Sequence, residues 1–205
     1  MGYIFMDPIL LNQTDDELLD LFCQGNNEAF EELVLRYKNP LYQYILSLVK
    51  DEGTTDDLFQ DVFLSLFKHA RTYKRQGKLK AWLFLTARNK VFNYVRDHKN
   101  TASLDQTDDE GNAFLQDMLP DNSRPVLEEL RWQEFQETIR QAIEKLPPRQ
   151  REVIYLRQYL SFQEIADTVG RPLGTVLADC HRGINKIKQL LAQQQPAQEE
   201  IYETV

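Results

Sequence analysis

Between residues 68 and 99 the chain carries ten bases, Lys68, Arg71, Lys74, Arg75, Lys78, Lys80, Arg88, Lys90, Arg96 and Lys99, against a single acid, Asp97. The whole protein has a net charge of -8, so this stretch is a segregated positive surface. Tyr73, Trp82, Phe84, Phe92 and Tyr94 are interleaved with the bases. Cations neutralise phosphates and flat rings offer faces to unstacked bases, which suits the segment to opened nucleic acid. Helical spacing assigns Trp82, Phe84 and Phe92 to a core. Tyr73 lies among Arg71, Lys74, Arg75, Gln76 and Gly77, a polar segment that reads as a loop. There it either meets a base or closes over the helices as a lid.

The stretch that must position this surface precedes it. From Thr55 to Phe67 the chain is acidic and apolar at helical spacing, with Leu58, Val62 and Leu66 four apart and Phe59, Phe63 and Phe67 beside them. It reads as a helix with one buried face, whose other side carries Asp56, Asp57, Gln60 and Asp61. Such acids either solvate an exposed face or dock a partner.

Length and composition narrow the function classes. With 205 residues, 27% charged and 42% hydrophobic, the chain suits one ordinary domain or two small ones. It has no run of about eighteen apolar residues and no basic N-terminal segment leading into an apolar one, so a cytoplasmic protein without membrane insertion is expected. Cys23 and Cys180 are far apart, and His69, His98 and His181 do not cluster with them, so neither a disulfide nor a metal site is expected. No phosphate loop, nucleophile elbow or paired-carboxylate frame is present, which points away from an enzyme and from any cofactor.

Taken in order, Thr14-Asp15-Asp16-Glu17 is a capping box opening a short helix that Gly25 ends. A second helix starts near Asn27, with Phe30, Leu33, Val34 and Tyr37, and Pro40 predicts a kink or brief break before Leu41, Ile45, Leu48 and Val49. A linker over residues 51–55 restarts the chain, and the helix from Thr55 and a helix over residues 79–96 complete a bundle of four or five helices. Residues 100–122 lose periodicity and carry Asp105, Asp108, Asp109, Glu110, Asp117 and Asp121 with no base, which marks an acidic, flexible linker.

Ser123-Arg124-Pro125 opens a second domain, with Leu127, Leu130, Phe135, Ile139 and Ile143 at helical spacing. Leu146-Pro147-Pro148 ends that helix. Ser161-Phe162-Gln163-Glu164 caps a short helix that closes at Gly170. Pro172 then leads into a last helix with Val176, Cys180, Ile184, Ile187 and Leu191 recurring at three or four. A short capped helix, a glycine turn and a longer helix form a helix-turn-helix, in which the second helix enters a major groove. Ile165, Ala166, Val169, Val176 and Ile184 are expected inside, leaving Arg171, Thr175, Ala178, Asp179, Arg182 and Lys186 on the open face. The tail over residues 193–205 is polar.

Asp57-Leu58-Phe59-Gln60-Asp61-Val62-Phe63, Trp82-Leu83, Thr86-Ala87-Arg88-Asn89 and Arg96 resemble the central region of bacterial RNA polymerase sigma factors of the sigma-70 family. The extracytoplasmic-function (ECF) group fits best. Leu146-Pro147-Pro148-Arg149-Gln150-Arg151, Glu164-Ile165-Ala166 and Gly174-Thr175-Val176 resemble that family's last conserved region. The resemblance implies an all-α fold with a region 2-like bundle over residues 1–99, a linker over 100–122, a region 4-like helix-turn-helix domain over 123–192 and a tail.

It also implies the partners: core RNA polymerase, promoter DNA and an anti-sigma factor. Asp56, Asp57, Gln60 and Asp61 would bind core polymerase. Tyr73, Lys74, Arg75, Lys78, Lys80, Arg88, Asn89 and Arg96 would capture the minus-ten strand, and Arg171, Thr175, Ala178, Asp179, Arg182 and Lys186 would read the minus-thirty-five duplex. The connector would thread toward the polymerase active centre. Where the family commonly has Lys, Ser and Arg after its Thr-Val pair, this chain has Leu177, Ala178 and Asp179. An acid in the groove would repel phosphate unless it accepted from a cytosine amino group. Two alternatives compete: a sigma-shaped decoy for anti-sigma proteins, and a simple helix-turn-helix regulator.

Overall fold

The computed structural model describes residues 8–99 and 126–194. The linker over 100–122, the Ser123-Arg124-Pro125 opening and most of the tail lie outside them. The described residues form nine helices and no strand: α1 (Pro8–Leu11), α2 (Asp15–Cys23), α3 (Asn27–Val49), α4 (Glu52–His69), α5 (Leu79–Lys99), α6 (Val126–Glu144), α7 (Pro148–Arg157), α8 (Phe162–Val169) and α9 (Leu173–Gln194). The fold is all-α. The chain divides into two compact units, Met1–Asn112 and Ala113–Val205.

In the first unit α2 begins where the capping box predicts. The Thr14 amide donates to Glu17 Oε2 at 2.7 Å, and the Glu17 amide donates back to Thr14 Oγ1 at 3.3 Å. Gly25, at φ 102°, turns the chain into α3. Arg36 on α3 then ties α2 down, donating to Asp15 at 2.8 Å and to the Gln13 carbonyl at 3.1 Å. The Tyr37 hydroxyl donates to the same Asp15, and burial followed by that bond pushes its pKa far above the ordinary phenol value.

Two sequence expectations are corrected here. Pro40 does not break the helix, since α3 runs unbroken from Asn27 to Val49. Leu33, Tyr37, Leu41, Tyr44 and Ile45 are buried on both sides of it, and their burial outweighs a proline cost of about 3 kcal/mol. The expected linker over residues 51–55 is instead the first turn of α4. Asp51 is the N-cap, accepting from the Thr54 amide at 2.7 Å, and buried Thr55 donates its hydroxyl to the Asp51 carbonyl at 2.7 Å. α3 packs against α2, α4 and α5 around Leu18, Leu33, Ile45, Leu66, Leu83 and Phe84, all fully buried.

In the second unit α9 packs against α6, α7 and α8. Ser161 and Glu164 cap α8 reciprocally at 3.3 and 2.8 Å, and Gly170, at φ 64°, supplies the left-handed turn before α9. Ile165, Ala166, Val169, Val176 and Cys180 are buried as expected. Ile184 is not: it is exposed, and Gly183 takes its place inside. A Cβ added to Gly183 would meet Ile154 Cγ1 at 3.2 Å, so the missing side chain is what lets α9 cross α7 closely. The buried stripe therefore runs 176, 180, 183, with Ile187 half-buried after it.

Candidate nucleic-acid and protein interfaces

α4 buries Leu58, Val62, Phe63 and Leu66 and exposes Asp56, Asp57, Gln60 and Asp61. The exposed side continues through two apolar residues. Leu64 is exposed, and Phe67, which the spacing placed with the buried set, is 58% exposed. Asp57, Asp61, Leu64 and Phe67 follow one another at four, three and three residues, with Gln60 beside Asp61, so acids and apolar groups share one stripe. Phe67 is the open end of a ring cluster, 5.4 Å from Phe22 and 5.8 Å from Phe30. Asp61 is partly engaged by Lys90 of α5 at 3.4 Å.

The basic loop between α4 and α5 is held by α2. Arg75 points inward: Nε donates to Asp20 at 2.9 Å, Nη1 to the carbonyls of Ala70 and Tyr73 at 2.7 and 2.6 Å, and Nη2 to Cys23 Sγ at 3.3 Å. With four partners it is a staple for the loop. Gly77, at φ 63°, donates its amide to Asp16 at 2.8 Å. Tyr73 is half-buried with its ring edge-on to Trp82 at 6.1 Å. Burial first, then Asp16, raises its hydroxyl pKa. This is the lid arrangement. Lys74, Lys78 and Lys80 are exposed.

α5 extends this surface. Trp82, Leu85, Asn89, Phe92 and Arg96 recur at three and four, a track of about 21 Å along one side of the helix. Asn89, Phe92 and Arg96 are exposed. Phe92, expected in the core, is 51% exposed with the Arg88 guanidinium 4.3 Å over its ring. Arg96 lies beside Asp97 at 3.1 Å. A flat ring under a cation, between an amide and a second cation, suits a nucleic-acid strand.

On the helix-turn-helix the largest correction concerns Asp179. It does not face outward; it is 5% exposed and accepts from Arg171 and from Arg182, each at 2.7 Å. Arg171 also reaches Glu152 of α7 at 3.2 Å, so the turn, α7 and α9 share one charge network. Arg171 is held in that network with its side chain only 16% exposed. Thr175, Arg182 and Lys186 are exposed, with Ala178 half-buried among them.

Residues 33–101 match the family Sigma-70 region 2 and residues 136–187 match Sigma-70, region 4, together over half of the chain in that order. The chain belongs to the ECF group of the sigma-70 family. The RNA polymerase sigma-H factor of Pseudomonas aeruginosa is 27% identical to it over 187 residues, covering 89% of this chain and 96% of the relative. The ECF RNA polymerase sigma factor SigM of Bacillus subtilis is 29% identical over 138 residues, covering 66% and 78%. The structure of CnrH in complex with the cytosolic domain of CnrY is similar in fold, with a TM-score of 0.56, 24% identity and coverage of 89% and 100%. The sigma factor RpoE of Bartonella quintana, solved with the anti-sigma factor NepR, also has a TM-score of 0.56, at 21% identity and coverage of 81% and 98%. Within the family frame the loop and α5 track belong to region 2. The α2 residues that hold the loop, Asp16 and Asp20, lie ahead of the matched segment. No helix of the described residues is long and apolar enough to cross a membrane.

Proposed function

We propose that this protein is an RNA polymerase sigma factor: it binds core polymerase in the cytoplasm, directs it to specific promoters and helps hold the DNA open. It acts by binding and performs no chemistry itself. The reading is carried by one observation, the two sigma-70 segments in family order, each with an exposed surface suited to its task. Asp56, Asp57, Gln60 and Asp61, extended by Leu64 and Phe67, dock core polymerase. Lys74, Lys78, Lys80, Arg88, Asn89 and Arg96 hold the minus-ten strand beside Tyr73. Thr175, Ala178, Arg182 and Lys186 meet the minus-thirty-five duplex. Residues 1–99 and 123–192 are the two working domains, with 100–122 as the acidic connector and 193–205 as the tail.

The division of labour fits the energetics. Opening a base-pair step costs about 1.4 kcal/mol of stacking, and a base captured on an aromatic surface returns about 1–3 kcal/mol. A few captured bases hold a bubble. Solved relatives in complex with the cytosolic domain of CnrY and with the anti-sigma factor NepR support an anti-sigma partner here too. A pure decoy is favoured by the net charge of -8 and by an acid on the reading helix, and the burial of Asp179 removes the second of these.

The test is co-purification. The chain should bind core RNA polymerase, and Asp57→Lys with Asp61→Lys should abolish binding while helicity is kept. Undiminished binding of that variant would reject the docking face.

A further inference from the structure

The exposed side of α9 has two flanks. Thr175, Arg182 and Lys186 form a polar, cationic flank, and Leu173, Leu177 and Ile184 form an apolar one, at 39%, 43% and 42% exposure. Leu173 and Leu177 stand one turn apart at the start of the helix. That end of the second helix in a helix-turn-helix is the one that meets base edges.

Apart from the Thr175 hydroxyl, the groups that would read a base by hydrogen bonding are missing from this end or withdrawn from it. Gly174 and Ala178 have none. Asp179 is occupied by Arg171 and Arg182, and Arg171 by Glu152 and Asp179. What the first two turns present to a groove is Leu173, Leu177, the small Ala178 and the Thr175 side chain. The major-groove feature that an aliphatic side chain recognises is the C5 methyl of thymine.

We propose that Leu173 and Leu177 are specificity-determining residues that read thymine methyl groups in the upstream promoter element. The proposal rests on the helix-turn-helix being a duplex reader. Duplex DNA is the occupant because exposed cations share the open face of α9 with the leucines: Arg182 and Lys186 line the opposite flank and Lys188 lies three turns beyond Leu177 on the leucines' own flank, with the single acid of this stretch buried. That disposition leaves the open face of α9 with exposed bases and no exposed acid, which suits a phosphate-bordered groove. Cytosine readout by an acid is replaced by methyl readout, and Asp179 serves instead to position Arg182.

The experiment uses the full chain assembled with core polymerase to select bound duplexes from a pool randomised upstream of the start site. Each thymine of the selected element is then replaced by uracil, which removes the methyl and keeps every hydrogen-bonding group. Wild-type protein should bind about fourfold more weakly for each contacted methyl lost, the worth of one buried carbon. Leu177→Ala should weaken binding to the thymine duplex and be insensitive to uracil at its own position, the non-additivity expected of a direct contact. Uracil substitution without effect anywhere, with Arg182→Ala and Lys186→Ala still weakening binding, would overturn methyl readout and leave the duplex reader standing. Leu177→Ala with unchanged DNA selection and uracil response would also overturn it, and would mark the leucines as a protein contact. Failure to select any duplex would reject the reader itself, and the proposal with it.

Discussion

Replacing Asp179 with Ala separates a groove-facing acid from a buried clamp. If the carboxylate faced DNA, its removal would relieve repulsion, strengthen duplex binding and leave the fold unaffected. In the structure it is 5% exposed and bonded to two guanidinium groups. Removing one partner of a buried ion pair costs about 3–5 kcal/mol. Two features lower that figure: Arg171 keeps Glu152 at 3.2 Å, and Arg182 is mostly exposed, so its half is worth about 0–1 kcal/mol. A loss of about 2–4 kcal/mol follows for the second unit. Cys180 is a built-in reporter, being buried in that unit next to Asp179. Pulsed thiol labelling read peptide by peptide measures its opening, and the loss corresponds to labelling faster by about 30- to 1,000-fold. Arg182→Ala should accelerate it by less than about tenfold. An Asp179→Ala protein that labels Cys180 at the wild-type rate and binds duplex more tightly would refute the clamp.

Three further predictions follow from the first unit. Arg75→Ala, which removes four hydrogen bonds, should lower the melting temperature, whereas Lys74→Ala and Lys78→Ala together should leave it unchanged and abolish open complexes on linear DNA; calorimetry and permanganate reactivity distinguish them. Leu64→Ser, at an exposed position, should weaken core polymerase binding severalfold in a pull-down with no change in melting. The carboxylates of Glu17 and Asp51 have pKa values below their ordinary ones, through hydrogen bonds from Thr14 and Thr54 respectively. Their contribution is complete above their unfolded values near about pH 4 and is lost as pH falls through the folded ones; Glu17→Gln with Asp51→Asn should flatten acid unfolding below about pH 4.

Local chemistry made much of the fold legible. Thr14 with Glu17, Ser161 with Glu164, and Gly25 and Gly170 announce helix ends because caps act within four residues. The register of α9 was misread because Ile184 satisfies the apolar spacing better than Gly183, and only the approach of Ile154 explains a buried glycine. That one-residue shift also turns Asp179 inward. Phe67 and Phe92 look like core residues because sequence spacing cannot show that the faces available for burial are already filled by Leu66 and Val91. The loop clasp was invisible for another reason: Arg75 finds Asp20 and Gly77 finds Asp16 across 55 and 61 residues of chain. The cations left exposed for the proposed strand contact are therefore Lys74, Lys78, Lys80 and Arg96, while Arg75 and Tyr73 pack the loop against its neighbours.

Mapping the 5′ ends of transcripts made on genomic DNA by core polymerase, with and without the protein, tests the central claim most directly. The account predicts a set of sharp start sites that appears only with the protein, shares an upstream element and vanishes with the Asp57→Lys, Asp61→Lys variant. Transcript ends whose distribution is the same with and without the protein would contradict it.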